Sequence, residues 1–404
     1  MKILAALQAT PLLEKFFTIF QEEAGHFRLV GGSIRNILLN LPHGDFDLAS
    51  NLLPEELLTL AKKKNIKALP TGLKHGTITF IIAGQALEIT SLREDVVNYG
   101  RHALVTFTKD WQADAKRRDL TINAFYLDHQ GQLYDYFNGF ADLKKRKIRF
   151  IGPAEKRIKE DYLRILRFFR FYSQLPEFSL DQAGITACFA QSQQLTRLSA
   201  ERIWQELKKI LLAKNAKKAL FLMFEQAILK AVLPRLKPEN LSFFKDHLPT
   251  EAILRLALLL IDQAHQLSPV AITAIIKQLA LSRKEQYRLK NFLLLGPQLA
   301  TNFTLPLIRP ELRRLGLGAF KELIDFLLMV NLISPTNQLV EKIRAWQNLP
   351  ALPLNGKDLL AKNLRGAKLG QKLGELDLLW FESNFSLSKQ ALLEHINAKA
   401  KLNC

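Results

Sequence analysis

Cysteine is almost missing: Cys188 and Cys404 are the only two in 404 residues. That excludes a disulfide framework and a cysteine zinc site. The eight histidines show no HExxH or paired spacing of the kind that binds zinc. Long apolar runs are missing too. A bilayer span needs roughly 18 or more apolar residues, and the nearest approach, Ala252 to Ile261, is interrupted by Arg255. The first twenty residues carry Lys2 and an apolar run, but Gln8 interrupts it. Glu14, Lys15, Glu22 and Glu23 follow without a small-residue cleavage pattern. A short amphipathic helix fits better there than a signal peptide. The expectation is a soluble, reduced, cytoplasmic protein with no membrane partner and no obligate protein partner.

Negative charge is the scarcer sign: 38 Asp and Glu stand against 57 Lys and Arg, a net charge of +19. Residues 1–150 hold 20 basic and 16 acidic side chains, which leaves 37 and 22 for residues 151–404. The excess is therefore +4 in the first part and +15 in the second. Such a surface suits a polyanion the size of RNA or DNA better than it suits a solubilising role or attraction to anionic lipid. Hydrophobic content of 48% is that of a folded protein. A chain of this length exceeds what one core serves, so several domains are expected.

What is present divides into two textures. Phe27–Val30, Phe46–Ala49, Thr77–Ile82, Ala86–Ser91 and Ala124–Leu127 read as strands, with 129–131 (HQG) as a hairpin turn. Pro54 begins a helix with Glu55 and Glu56 in its first turn. Beyond Gly152 and Pro153, long runs rich in Leu, Ala, Lys and Gln take over at helical spacing. Glu155–Tyr172, Ser199–Ala213, with Ser199 as N-cap, and Lys217–Val232 each read as one helix. No fixed-period repeat or low-complexity tract interrupts them.

Four local patterns carry chemistry. Residues 29–35 (LVGGSIR) run from a strand through Gly31 and Gly32 into a helix, whose bare N–H groups suit a phosphate chain. Asp45 and Asp47 flank Phe46, so on a strand both carboxylates face one way and Phe46 the other. Close carboxylates repel, and a hard cation such as Mg²⁺, which binds one or two carboxylates plus substrate phosphates, removes the conflict. In 117–124 (RRDLTINA), adjacent arginines can clamp a triphosphate and Asp119 can accept from a ribose hydroxyl. On 160–170 (EDYLRILRFFR), Asp161, Arg164, Arg167 and Arg170 fall at successive three-residue steps of the expected helix. Leu163, Leu166 and Phe169 form a second ridge that can face the core. Aspartate and arginine together can imitate the pairing edge of a base. Glu88 stands open between a third carboxylate and a solvent-facing strand residue, and His75 reads as a turn residue.

GGxxR, DxD, RRDxTxNA and EDxxR in this order resemble the class II tRNA nucleotidyltransferase and bacterial poly(A) polymerase family, within the polymerase β-like nucleotidyltransferases. The resemblance runs from about Phe27 to Ala213. Weaker likeness continues through 198–211, similar to the family's neck helix, and through 355–359 with 366–370, similar to the tail of CCA-adding members. It implies an α+β fold: a nucleotidyltransferase head with a small mixed β-sheet at 1–150, then an all-α neck at 151–215, body at 216–350 and tail at 351–404. It further implies that Asp45 and Asp47 hold Mg²⁺, with Glu88 as a further catalytic carboxylate. Gly32 and Arg35 would touch the triphosphate, beside Gly31. Arg118, Asp119 and Asn123 would bind triphosphate and ribose. Asp161 and Arg164 would read the base, and Arg167 and Arg170 would complete the pocket. The family pattern carries Asp after the motif arginine, where this chain has Asn36.

The implied reaction is attack of an RNA 3′ hydroxyl on the α-phosphate of CTP or ATP, with two cations stabilising entering and leaving oxygens. The implied partners are the tRNA acceptor end and those two nucleotides. The segment 95–111, between two motifs, is the expected moving part. CCA addition comes first, with poly(A) synthesis or partial CC or A addition as alternatives that these motifs do not separate.

Overall fold

The computed structural model describes residues 10–42, 46–99, 102–244, 251–261, 267–362 and 364–401. The chain forms two compact units: residues 1–241 with 278–280, and residues 242–277 with 281–404.

The first unit opens with helix α1 (Pro11–Ile19), strand β1 (Phe27–Val30), helix α2 (Gly32–Leu38), strand β2 (Asp47–Ser50) and helix α3 (Pro54–Lys63). Strands β3 (Lys67–Gly72), β4 (Thr77–Ile82) and β5 (Gln85–Ser91) follow, then β6 (Arg93–Tyr99), β7 (His102–Phe107) and helix α4 (Trp111–Arg117). Strands β8 (Phe125–Leu127) and β9 (Leu133–Asp135) complete a seven-stranded sheet in the order β3-β4-β5-β2-β1-β8-β9. Only β2 and β5 pair in parallel, so the sheet is mixed. Period-two alternation drives its burial: Leu87 and Ile89 are buried while Glu88 between them is exposed. One face packs Phe16, Phe20, Phe27, Leu48 and Phe80 under α1 and α3. The other packs Val30, Trp111, Ala115 and Tyr126 under α4.

The expected strands are present with one-residue shifts, and Phe46 is buried just ahead of β2. Two strands of this sheet lie outside the expected set. Strand β3 contains Pro70 and sits at the sheet edge, where a missing donor is tolerated. Strand β9 is only three residues long. The segment read as the moving part is a hairpin of β6 and β7, separate from the main sheet and bulged between Asp95 and Val97.

Helices then dominate: α5 (Gly139–Lys144), α6 (Ala154–Glu160), α7 (Leu163–Gln174), α8 (Gln182–Ala190) and α9 (Ala200–Leu212). Between α5 and α8, strands β10 (Lys147–Ile148) and β11 (Ser179–Leu180) pair in parallel. The expected helix Glu155–Tyr172 is two helices, because Asp161 is extended (φ −156°, ψ 109°) and its carboxylate accepts from the Leu163 N–H at 3.1 Å. Aspartate competes with helical backbone bonding in just this way. The expected helix at 217–232 is likewise divided at Ala227, which has φ 55°. Ser199 occupies the cap position of α9, but its side chain makes no cap bond.

The regular elements among the second unit's described residues are all helices. Its most apolar helix, Ala252–Leu260, is buried along its whole length, which accounts for the run that a sequence scan finds. No described helix is long and apolar enough to cross a membrane. The last core gathers Leu354, Leu359, Leu376, Trp380 and Leu392.

Candidate active site

Strand pairing sets the carboxylate edge. Gly31 takes φ 85° and ψ −145°, a backbone region that glycine enters without strain, and so turns β1 into α2. Antiparallel pairing places Val30 opposite Asp47, so Asp47 lies beside the Gly31–Gly32 turn. Parallel pairing of Leu48 with Ile89 puts the preceding residues, Asp47 and Glu88, on adjacent strands. Leu48 and Ile89 are buried in one core, and Asp47 and Glu88 are exposed on the opposite face. Asp45 lies outside the described residues. Two hard carboxylates on neighbouring strands beside a glycine turn suit a divalent cation. Among the described residues no cluster of three or more metal-ligating side chains occurs.

Next to this edge a cavity of about 470 Å³ opens in the first unit. Gly31, Gly32, Arg35 and Asn123 form part of its wall, Arg93, Arg117, Arg118 and Asp119 another, and α7 with Asp161 and Arg202 the rest. Seven arginines face only two aspartates there. A positive enclosure with low-dielectric walls concentrates anions.

Arg35 is buried, and its Nη1 donates to Asn123 Oδ1 at 2.5 Å. Its Nε and Nη2 donate to Asn36 Oδ1 at 3.1 and 2.8 Å, and Asn36 Nδ2 donates to the Pro42 carbonyl at 2.8 Å. The amide thus does what the family's aspartate could not, accepting on one side and donating on the other. Burial, helped by the nearby Arg170 charge and opposed by Asp119, lowers the Arg35 pKa to about 10. Its partners are neutral amides, which leaves the positive charge for a phosphate.

Asp119 lines the cavity and is tied to α7. Its Oδ2 accepts from Arg167 Nε and Nη2, both at 2.6 Å, and its Oδ1 from the Leu120 N–H. Burial raises its pKa, but Arg167, with Arg164 and Arg170 behind it, holds it below the usual carboxylate range.

Asp161 and Arg164 both reach the cavity but do not pair. Arg202 of α9 donates to Asp161 Oδ2 at 2.6 Å. Arg164 donates to Glu160 Oε2 at 2.6 Å and to the carbonyls of Arg157 and Arg117. The expected ridge therefore holds for Arg164, Arg167 and Arg170 on α7, while Asp161 stands off the helix. Arg170 is placed differently from Arg164 and Arg167. It is absent from the cavity wall, packs over the Phe171 ring at 4.3 Å, and binds Glu206 of α9 at 3.0 Å. Its observed work is to join α7 to α9.

Four side chains at this site are not among those the sequence motifs single out: Arg93, Arg202, Phe171 and Asp114. Asp114 had a visible signal, since it lies three and four residues before Arg117 and Arg118 on a short helix. Arg202 had none, because its partner is 41 residues away.

Residues 27–149 match the family described as the poly A polymerase head domain, and residues 177–240 match the probable RNA and SrmB-binding site of polymerase A. The zebrafish (Danio rerio) mitochondrial CCA tRNA nucleotidyltransferase 1 is 34% identical over 94% of this chain and 89% of its own. The chain belongs to the CCA-adding tRNA nucleotidyltransferase family. The human counterpart is 42% identical, across 53% of this chain and 50% of its own length. Among solved structures, the Bacillus stearothermophilus CCA-adding enzyme in complex with CTP superposes with a TM-score of 0.77. That match is 25% identical and covers 98% of this chain and 100% of the other. Membership in the CCA-adding family makes this chain a nucleotidyltransferase.

Proposed function

We propose that this chain adds C, C and A to the 3′ end of tRNA from CTP and ATP, without a nucleic-acid template. The observation that carries the reading is the register of β1 with β2, which sets Asp47 beside the glycine turn that forms part of the wall of a seven-arginine cavity. A carboxylate edge next to an anion pocket is what phosphoryl transfer to a hydroxyl requires. Close likeness to named CCA-adding enzymes supports the substrate class.

In this proposal Asp45 and Asp47 hold a divalent cation, Mg²⁺, with Glu88 as a further carboxylate, and the bound cation supplies charge neutralisation at the triphosphate and the attacking oxygen. Arg35, Arg118 and the Gly31–Gly32 backbone bind the triphosphate, while Asn123 fixes Arg35 from behind. Asp119 holds Arg167 against the nucleotide. Asp161 and Arg164 present acceptor and donor edges to the base. The RNA 3′ oxygen forms its bond to the α-phosphorus as pyrophosphate departs. Functionally the head spans 1–150, the neck 151–215, the body 216–350 and the tail 351–404, with the basic body and tail facing RNA.

The test is purified protein with Mg²⁺, tRNA lacking its last three nucleotides, and CTP, ATP or both. Addition that stops after C, C, A is expected. The matched head family is named for poly A polymerase, which makes that activity the second reading. A long ladder with ATP alone would establish it, and a halt after two C residues, or A addition alone, would mark a partial enzyme.

A further inference from the structure

Asp114 belongs to none of the four motifs, yet it is 1% exposed and carries an unusual number of donors. Its Oδ1 accepts from Arg117 Nε at 2.9 Å, from Arg117 Nη2 at 2.7 Å and from the Arg93 N–H at 3.1 Å. Its Oδ2 accepts from the Tyr126 hydroxyl at 2.5 Å and from Arg118 Nη2 at 3.2 Å. The same hydroxyl accepts from Arg118 Nε at 3.1 Å. Tyr126 is itself fully buried, edge-on to Trp111 at 5.4 Å.

Consecutive side chains on a helix diverge, whereas positions three and four residues apart meet. Arg117 ends α4 and Arg118 is already extended, with φ −66° and ψ 162°. Left alone, two adjacent guanidiniums on a wall with five more arginines would repel each other toward solvent. A single carboxylate three and four residues earlier catches both, offsets one charge and leaves the pair at a net charge near +1. Burial raises the Asp114 pKa, but Arg117 and Arg118 outweigh it and hold the group below its ordinary range, so it is charged where the enzyme works.

We propose that Asp114 is a positioning residue for the nucleotide site: it fixes Arg117 and Arg118 on the cavity wall with their remaining N–H groups toward the triphosphate. The inference rests on the reading of this cavity as a nucleoside triphosphate site. Phosphate contacts are held in ground state and transition state alike, so their loss acts on binding and not on the chemical step.

The experiment measures equilibrium binding of CTP and ATP, each with Mg²⁺, to the full chain, alongside steady-state addition to tRNA lacking its last three nucleotides. Asp114→Asn is expected to raise nucleotide Kd and KM about tenfold, the scale of one charge-assisted hydrogen bond. In the same variant kcat should change less than about twofold, with affinity for tRNA unchanged. A lowered melting temperature and active fraction with KM unmoved would show that Asp114 only packs, and would overturn the proposal. Tyr126→Phe keeps the ring and removes the one hydroxyl between Asp114 and Arg118. It should raise KM about threefold, and it decides the matter should the asparagine variant fail to fold, an unchanged KM again overturning the proposal. Wild-type protein that binds neither nucleotide refutes the nucleotide reading itself. Wild-type binding matched by Asp114→Asn refutes only the role of Asp114.

Discussion

At the scale of single residues, Asp161 has three things to do with one carboxylate. One oxygen caps the Leu163 N–H, the other accepts from Arg202, and in the proposed function the group must also face a base. Carboxylate oxygens have lone pairs enough for this, about four sites between them. Arg202 then acts as a strut: it fixes the carboxylate's angle from a second helix, as a base-reading group requires. Asp161→Ala should therefore relax base choice more than it lowers total transfer. The measurement is incorporation of CTP, ATP, UTP and GTP in parallel on the same tRNA. Discrimination against the wrong base should fall at least about tenfold, the value of one lost hydrogen bond to a charged group. An equal loss for all four nucleotides would assign Asp161 to folding alone.

At the scale of elements, the site depends on how the RRDxTxNA turn is seated. The first residue of α5, Gly139, lies so close to this turn that a Cβ there would sit 2.2 Å from the Thr121 carbonyl oxygen. That neighbour is backbone and cannot swing away. Thr121 is further tied by its hydroxyl to Asp142 of the same helix at 2.6 Å. Gly139→Ala should destabilise the first unit by about 1–3 kcal/mol, the usual cost of overpacking, and should raise nucleotide KM by shifting Asn123 and Asp119. Thermal unfolding with parallel kinetics checks both. None of this closeness is visible in sequence, where Gly139 is one residue of an unremarked turn. What was legible is local. The Gly31–Gly32 turn, the adjacent arginines and alternating strands such as β5 declare themselves within ten residues. What was hidden is long-range or contrary to pattern: the Arg167–Asp119 pair spans 48 positions, β3 is masked by Pro70, and a helical period from 155 to 172 runs straight through the break at Asp161. Periodicity records which residues are apolar; Ile158 of α6 and most of α7 are buried on either side of the break, so the break left the pattern nearly intact.

At the scale of the whole molecule, two kinds of positive charge serve two partners. The cavity's arginines are enclosed, largely tied to carboxylates or backbone carbonyls, and suited to one small anion. Residues 216–404, which contribute nothing to the cavity wall, are a different population: 26 basic against 15 acidic side chains, an excess of +11 suited to a long polyanion. Salt separates the two. Exposed charges are screened beyond a Debye length, about 10 Å at 0.1 M, whereas enclosed ones are screened far less. A protein that neutralises several phosphates also releases counterions, so its affinity falls steeply as salt rises. Between 50 and 200 mM NaCl, tRNA affinity should weaken at least about tenfold, while the Kd for CTP with Mg²⁺ should move less than about threefold. Filter binding for tRNA and equilibrium dialysis for CTP give the two slopes. A tRNA slope as shallow as that for CTP would mean that the basic surface of the body and tail does not lie along the RNA, and that the acceptor end is held by the head and neck alone.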